Sequence, residues 1–217
     1  MTALFAEIRL DRAPVEDLSP LFRASAEPPG DGDSVRSWEW AALGCRAFWS
    51  TPEEIGERQP FVDPAGRFAF SHNGELGRWQ GARAAYREQG RISGRADSEV
   101  GQRWLEDAWE QAAPAELLAR LHAGFGGVAN LAVIERDGRT TQYAGNPENP
   151  VFTFRLGPIG LASTAVYSID RSLFRFAAPG ATARRLARLN TTIVLDECGE
   201  PRPARRGEPM AQAIPGT

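Results

Sequence analysis

The chain has 217 residues, of which 42% are hydrophobic, and its 25 basic and 28 acidic side chains give a net charge of −3. This composition fits a globular protein of one large domain or two small ones. It excludes a disordered chain and a nucleic-acid binder that works through a basic surface. Every basic residue is an arginine, which excludes lysine Schiff-base chemistry and a Walker A phosphate loop.

Strands are predicted to predominate in the first third of the chain. They are expected at residues 3–10, 37–43 and 67–72, with Asn73-Gly74 ending the third strand. A run at 14–22 with acidic residues near its start predicts a short helix. Segments 27–34 and 50–60 are polar and contain proline and glycine, so they are predicted to be loops.

Helices are predicted in the middle of the chain and strands after it. The helices are expected at 78–88, 98–111 and 114–122, with Asp97 as the N-cap of the second. After Gly124 the apolar pattern becomes extended, and Asp137-Gly138 predicts a hairpin turn. The later strands are expected at 128–135, 140–144, 151–154, 159–163 and 192–196.

The order of these elements predicts one α+β domain over residues 1–198, built of two sheets with helices on their outer faces. Residues 199–217 are rich in proline and arginine and are expected to form a poorly ordered tail. The two cysteines and two histidines lack metal-ligand spacing, so no metal or organic cofactor is expected. Without an apolar run of membrane-spanning length or a secretory signal, a soluble cytoplasmic protein is expected.

Four features fall where chemistry could occur: Thr2, Arg46, Asn73-Gly74 and Asp97. Taken singly, each has a structural explanation. An Asn-Gly pair after a strand is most often a turn, and an aspartate before a helix is most often an N-cap. Thr2 is a small residue after the start, and Arg46 is one arginine of 25.

Taken together, these features resemble the class II, or N-terminal nucleophile, glutamine amidotransferase domain of asparagine synthetase and amidophosphoribosyltransferase. LGCR at 43–46, followed by QPF at 59–61, is similar to the family's substrate-arginine strand and its QP element. FSHNGEL at 70–76 is similar to its HNG element, and ADSEV at 96–100 to its D-[ST]-E-V element. The resemblance covers about residues 1–165 and implies the four-layer αββα sandwich of N-terminal nucleophile hydrolases.

The resemblance also implies roles for individual residues. Arg46 would pair with the α-carboxylate of glutamine, and Asp97 would hold its α-ammonium group. Gly74 would offer its backbone N–H to the substrate, with Glu75 beside it among the substrate-binding positions. Asn73 would donate its side-chain amide to the oxyanion of the tetrahedral intermediate, in an oxyanion hole shared with Gly74.

The sequence departs from the family at its N-terminus. Active members begin Met-Cys-Gly, and the cysteine that follows the removed methionine is the nucleophile. Here the chain begins Met1-Thr2-Ala3. Either Thr2 is the nucleophile, with its own α-amino group as the base, or the site is inactive or has been repurposed. Cys45 could be a displaced nucleophile, but no base is evident, so a buried inert thiol is preferred. His72 is assigned a packing role.

Several functions therefore stay open. The chain could be a glutaminase that passes ammonia to a separate synthetase subunit, or a stand-alone amidase that acts on a γ-glutamyl compound. It could also be a catalytically inactive subunit with a structural or regulatory role. The expected partners are a γ-glutamyl small molecule and a synthetase subunit or a second copy of the chain. A proteasome-like peptidase is disfavoured because an Arg46–Asp97 clamp fits a free amino acid.

Overall fold

A computed structural model of the chain describes residues 3–9, 15, 32–47, 59–156, 165–170, 183–195 and 202–203. Thr2, the helix predicted at 14–22, the strand predicted at 159–163 and most of the predicted tail lie outside these residues. The side chain of Arg46 also lies outside the described part, although its backbone belongs to it. The division into a domain at 1–198 and a tail stays a prediction.

The described residues form twelve strands and three α-helices. The strands of the first half are β1 (Ala3–Arg9), β2 (Gly32–Trp38), β3 (Ala41–Ala47), β4 (Phe61–Val62), β5 (Phe68–Leu76) and β6 (Gly127–Glu135). The later strands are β7 (Thr140–Ala144), β8 (Val151–Leu156), β9 (Ala165–Asp170), β10 (Ala183–Leu186), β11 (Thr191–Leu195) and β12 (Arg202–Pro203). The helices are α1 (Gln80–Glu88), α2 (Asp97–Ala108) and α3 (Pro114–Phe125), with a 3₁₀ turn at Trp109–Gln111.

The strands form two six-stranded sheets in which every described pair is antiparallel. The first sheet has the order β10-β8-β9-β1-β3-β2, and the second has the order β12-β11-β7-β6-β5-β4. In chain order, β1–β3 belong to the first sheet, β4–β7 to the second, β8–β10 to the first and β11–β12 to the second. The predicted arrangement of two sheets is therefore confirmed.

Two hydrophobic cores follow from the alternation of side chains along the strands. An inter-sheet core joins residues such as Leu43 of β3 to Ala69 of β5 and Ile134 of β6. A helix-side core joins Phe70 and Phe68 of β5 to α2 and α3, and Phe68 stacks on Trp109 with ring centroids 3.9 Å apart. Strand β5 therefore lies between both cores, which fixes the direction of each of its side chains.

The single strand predicted at 37–43 is wrong, because this segment contains the end of one strand, a turn at 39–40 and the start of the next strand. Strands β2 and β3 flank a turn at Glu39-Trp40, and Glu39 has a positive φ of 49°. The loop predicted at 27–34 also ends earlier than expected, since β2 begins at Gly32. In the predicted tail, Arg202–Pro203 pairs with β11 and is a short strand.

Asp63 anchors the turn that joins β4 to β5. Its carboxylate accepts hydrogen bonds from the Arg67 guanidinium at 2.8 and 3.0 Å and from the Arg67 backbone N–H at 3.0 Å. Burial raises the pKa of the Asp63 carboxyl, but these hydrogen bonds and the charge of Arg67 outweigh it and hold the pKa below 3.8. Because its pKa is depressed in the folded state, Asp63 stabilises the fold above the unfolded-state pKa.

We therefore expect Asp63→Asn to lower the free energy of unfolding by about 1–2 kcal/mol at pH 7, as for a charge-assisted hydrogen bond. The difference from wild type should begin to shrink as the pH falls below about 4, because the unfolded state then takes up a proton at Asp63 that the folded state does not. Urea denaturation at pH 7, 5 and 3.5 measures this difference. A difference that stays constant over this range would contradict the assignment.

Candidate functional site

The edge of β5 that faces away from β6 carries the candidate site. Strand β4 pairs only with Ala69 and Phe70, so the edge beyond Phe70 is not covered by β4. Side-chain oxygens accept hydrogen bonds from the backbone N–H groups of this edge instead. The N–H of His72 donates to Gln59 Oε1 at 2.6 Å, and the N–H of Leu76 donates to Asp97 Oδ2 at 2.7 Å.

Gly74 lies within β5, midway between these two residues, where the sequence predicts a turn. That prediction is wrong, because β5 continues through Asn73 and Gly74 to Leu76. Gly74 has a φ of +127°, and a Cβ here would overlap the carbonyl oxygen of Val128 and lie 2.8 Å from the Cα of Ala129. Glycine is thus required for the close approach of β5 to β6.

Asn73 is buried, with 1% of its surface exposed, and Glu75 after it is exposed. Asn73 lies directly opposite Asn130 of β6. Because side chains alternate along a strand, Asn73 shares the face of Ala69, which packs in the inter-sheet core. The Asn73 side chain is thus directed towards the first sheet, whereas His72 is directed towards the helices.

Asn130 organises the connection that leads from β7 to β8. Its Oδ1 accepts the N–H groups of Gly145 and Asn146 at 3.2 and 3.1 Å, and its Nδ2 donates to the carbonyl of Asn149 at 2.6 Å. Asn146 Oδ1 in turn accepts the N–H groups of Glu148 and Asn149. One buried amide therefore holds the crossing between the sheets beside Asn73.

Asp97 brings a buried carboxylate to the edge of β5. It is the first residue of α2, and Ala96 is the N-cap residue, so the predicted capping role is wrong by one position. Its Oδ2 lies 2.7 Å from the Leu76 nitrogen and 3.3 Å from His72 Nε2. Burial raises the pKa of Asp97, but the His72 ring and the N–H groups of Leu76 and Ser98 outweigh burial and leave the pKa below 3.8. At neutral pH the site therefore contains a negative charge.

Arg46 lies on the facing sheet. It is the next-to-last residue of β3 and pairs in register with Ala3 on one side and Asp33 on the other. Its backbone is thus opposite the residue that follows Thr2. The neighbouring Cys45 is fully buried in the inter-sheet core.

The described residues thus bring some of the predicted positions together. Asn73, Gly74 and Glu75 are consecutive on β5, and Asp97 contacts the same strand at Leu76. Arg46 and Ala3 adjoin each other in the first sheet, which packs on β5 through the inter-sheet core. Sequence reasoning assigned no site role to Gln59, His72 or Asn130. The sequence offers only a weak signal for these residues. His72 and Asn130 are polar residues within apolar strands, and Gln59 belongs to the QP element.

Among the residues that the structure describes, no group of three or more His, Cys, Asp or Glu side chains could hold a metal ion. None of the described helices is long and apolar enough to cross a membrane.

No protein-family model matches the chain, and no curated protein matches it. Solved structures do match. Glutamine phosphoribosylpyrophosphate amidotransferase from B. subtilis, complexed with ADP and GMP, superposes with a TM-score of 0.68 at 12% identity over 94% of this chain and 49% of that one. A structure of the allosteric regulatory enzyme of purine biosynthesis gives a TM-score of 0.69 at 12% identity, over 94% and 48%.

The chain spans about half the length of these two matched chains. At this level of identity the likeness establishes the fold. The described residues supply the two sheets and the helical layer on the second sheet, with the order of strands given above. The chain therefore has the α+β fold of the N-terminal nucleophile hydrolase type, the αββα sandwich seen in a glutamine amidotransferase, as the sequence predicts.

Proposed function

We propose that this chain is a class II glutamine amidotransferase-like domain that binds glutamine or another γ-glutamyl amide at the edge of β5. Asp97 receives the α-ammonium group of the ligand, and Arg46 receives its α-carboxylate. The backbone N–H of Gly74 and the neighbouring Glu75 complete the amino-acid end of the site. The ligand's amide extends towards Asn73.

The buried charge of Asp97 carries this proposal. The Asp97 side chain is 15% exposed, and a carboxylate has about four lone-pair sites, so the protein groups that hold it leave sites for an ammonium group. Its hydrogen bond to Leu76 places it about 7 Å along β5 from Gly74, because two residues of a strand span that length. One amino acid can contact both positions.

Position 73 suits an oxyanion donor. Its side chain is buried and shares the face of β5 that looks towards the first sheet, where β1 and β3 adjoin each other. A buried amide donor aimed at a developing oxyanion typically contributes about 3–4 kcal/mol to the stability of the transition state. Gly74 supplies a second donor from the same strand.

Hydrolysis, where it occurs, uses Thr2. After removal of Met1, the free α-amino group accepts the hydroxyl proton while the oxygen attacks the ligand's amide carbon. The C–N bond then breaks, and the leaving nitrogen takes the proton held by the α-amino group and departs as ammonia. Water hydrolyses the resulting ester of Thr2, which releases glutamate and restores the hydroxyl. The acceptor of the ammonia is a separate synthetase subunit.

Intact mass spectrometry with a diazo-ketone analogue of glutamine tests the chemistry. A mass that lacks Met1 and gains one adduct, with the adduct lost in Thr2→Ala, is the result expected for a working N-terminal threonine. Calorimetry with L-glutamine tests binding in the same preparation. Binding without an adduct would restrict the proposal to a binding domain, and the absence of both would overturn it.

The second candidate is a catalytically inactive amidotransferase-like subunit with a structural or regulatory role. It is favoured by the residues at the N-terminus, where Thr2 and Ala3 stand in place of the family's Cys and Gly. A hydroxyl is a far weaker nucleophile than a thiol near neutral pH. Release of glutamate from glutamine by purified protein, lost in Thr2→Ala, would exclude this candidate.

A further inference from the structure

We propose that His72 is a positioning residue that orients the Asp97 carboxylate for the α-ammonium group of the ligand. The inference rests on the proposed function and deepens it, because it adds the residue that prepares the ammonium-binding group. The sequence assigns His72 only a packing role. The structure instead places its ring against the buried carboxylate.

Two groups lie against one oxygen of Asp97. His72 Nε2 lies 3.3 Å from Oδ2, and the Leu76 N–H donates to the same Oδ2 at 2.7 Å. Neither contact uses Oδ1. The Leu76 and Ser98 N–H groups bind the carboxylate and the His72 ring lies against Oδ2, so rotation of the carboxylate about its last bond is restricted.

The His72 ring is itself held in place. Its backbone N–H is fixed by Gln59 Oε1 at 2.6 Å, and its ring lies nearly parallel to that of Phe70, with centroids 6.4 Å apart and planes inclined by 10°. Only 4% of the residue is exposed. A buried ring with a fixed backbone cannot swing to solvent, so its contact with Asp97 persists without ligand.

Gln59 extends this arrangement to the first sheet. Its carbonyl oxygen accepts a hydrogen bond from the Ser34 hydroxyl of β2, while its side chain holds His72 on β5. The contacts therefore run from β2 through Gln59 and His72 to Asp97. The position of the carboxylate depends on groups from both sheets and from α2.

A packing role and a positioning role predict different results. If His72 only fills space, phenylalanine should replace it without loss of ligand affinity. If it orients Asp97, phenylalanine should weaken only ligands that carry an α-ammonium group. The test uses the full chain and two ligands that differ in this group alone, L-glutamine and glutaramate, the same molecule without its amino group.

We expect His72→Phe to lower the affinity for L-glutamine about tenfold, because Asp97 loses the polar ring at 3.3 Å, and to leave the affinity for glutaramate within about twofold. His72→Gln, which keeps a neutral donor, should restore most of the glutamine affinity. His122→Phe is the matched control, because His122 is the other histidine and contacts Tyr143 instead. Equal weakening of both ligands, or none, would overturn the inference.

A ligand-free measurement separates this inference from the proposed function. The ring resonances of the two histidines are assigned by NMR with the His122 variant. Asp97→Asn should shift the resonances of His72 and leave those of His122 in place. Unmoved His72 resonances overturn the inference whatever the ligands do. If wild type binds neither ligand, the proposed function fails and the ammonium-binding part of the inference fails with it.

Discussion

Replacing Gly74 with alanine is expected to prevent folding or to lower the free energy of unfolding by at least about 3 kcal/mol. Two causes combine at this position. A φ of +127° is strained for a residue with a Cβ, and that atom would overlap the Val128 carbonyl of the neighbouring strand. The atoms that this Cβ would meet belong to the backbone of β6 and cannot move aside as a flexible side chain would. Separation of β5 from β6 would also displace Asn73.

Two other glycines provide matched controls for this substitution. Gly81 lies in α1 with open space around it, so Gly81→Ala should stabilise the fold by up to about 1 kcal/mol. Gly90 has a φ of +70° and also faces open space, so Gly90→Ala isolates the backbone strain, at about 1–2 kcal/mol. Urea denaturation followed by tryptophan fluorescence ranks the three variants. Equal stability of the three would contradict the close-approach argument.

Asp97→Ala is expected to abolish binding of L-glutamine, with at least a hundredfold loss of affinity, about 2.7 kcal/mol. The ammonium group would lose its buried counter-charge at this edge, and the Leu76 N–H would lose its acceptor. Calorimetry on wild type and the variant measures the change. Unchanged affinity would remove Asp97 from the site.

A second variant keeps this test valid if Asp97→Ala unfolds. Asp97→Asn retains an oxygen that can accept from Leu76 while it removes the charge, so it should fold and still bind poorly. Asp137→Ala is the control for loss of a carboxylate, because Asp137 is exposed in the turn between β6 and β7. It should bind glutamine as wild type does.

Long periodic segments of the fold could be predicted from the sequence. Strands β6 and β7 and the helices α2 and α3 lie within a few residues of their predicted positions, because a repeated apolar pattern reports the face that each element buries. The hairpin of β2 and β3 could not be predicted in the same way. Its turn uses Glu39 in a left-handed conformation, which no glycine, asparagine or proline signals.

The site was only partly predictable for a related reason. The family resemblance singles out Asn73, Gly74 and Asp97, whereas local preference alone treats the first two as a turn and the third as a cap. Local preference favours those readings, whereas the observed roles come from contacts between distant segments, such as Gly74 with Val128 and Asp97 with Leu76. The His72–Asp97 contact needs the register of α2 on β5, which no local pattern contains. The site roles of Thr2, Arg46, Asn73, Gly74, Glu75 and Asp97 all stay predictions.

The buried amide of Asn130 has a consequence for how this chain can vary. Its three hydrogen bonds satisfy backbone groups at Gly145, Asn146 and Asn149, so they fix the number of residues in that connection as well as its path. An apolar residue at 130 would leave two N–H groups and one carbonyl without their hydrogen-bond partners. An insertion at 145–149 would leave the amide itself without partners. The residue at position 130 and the length of the 145–149 connection are therefore expected to change together, so relatives that alter one should alter the other.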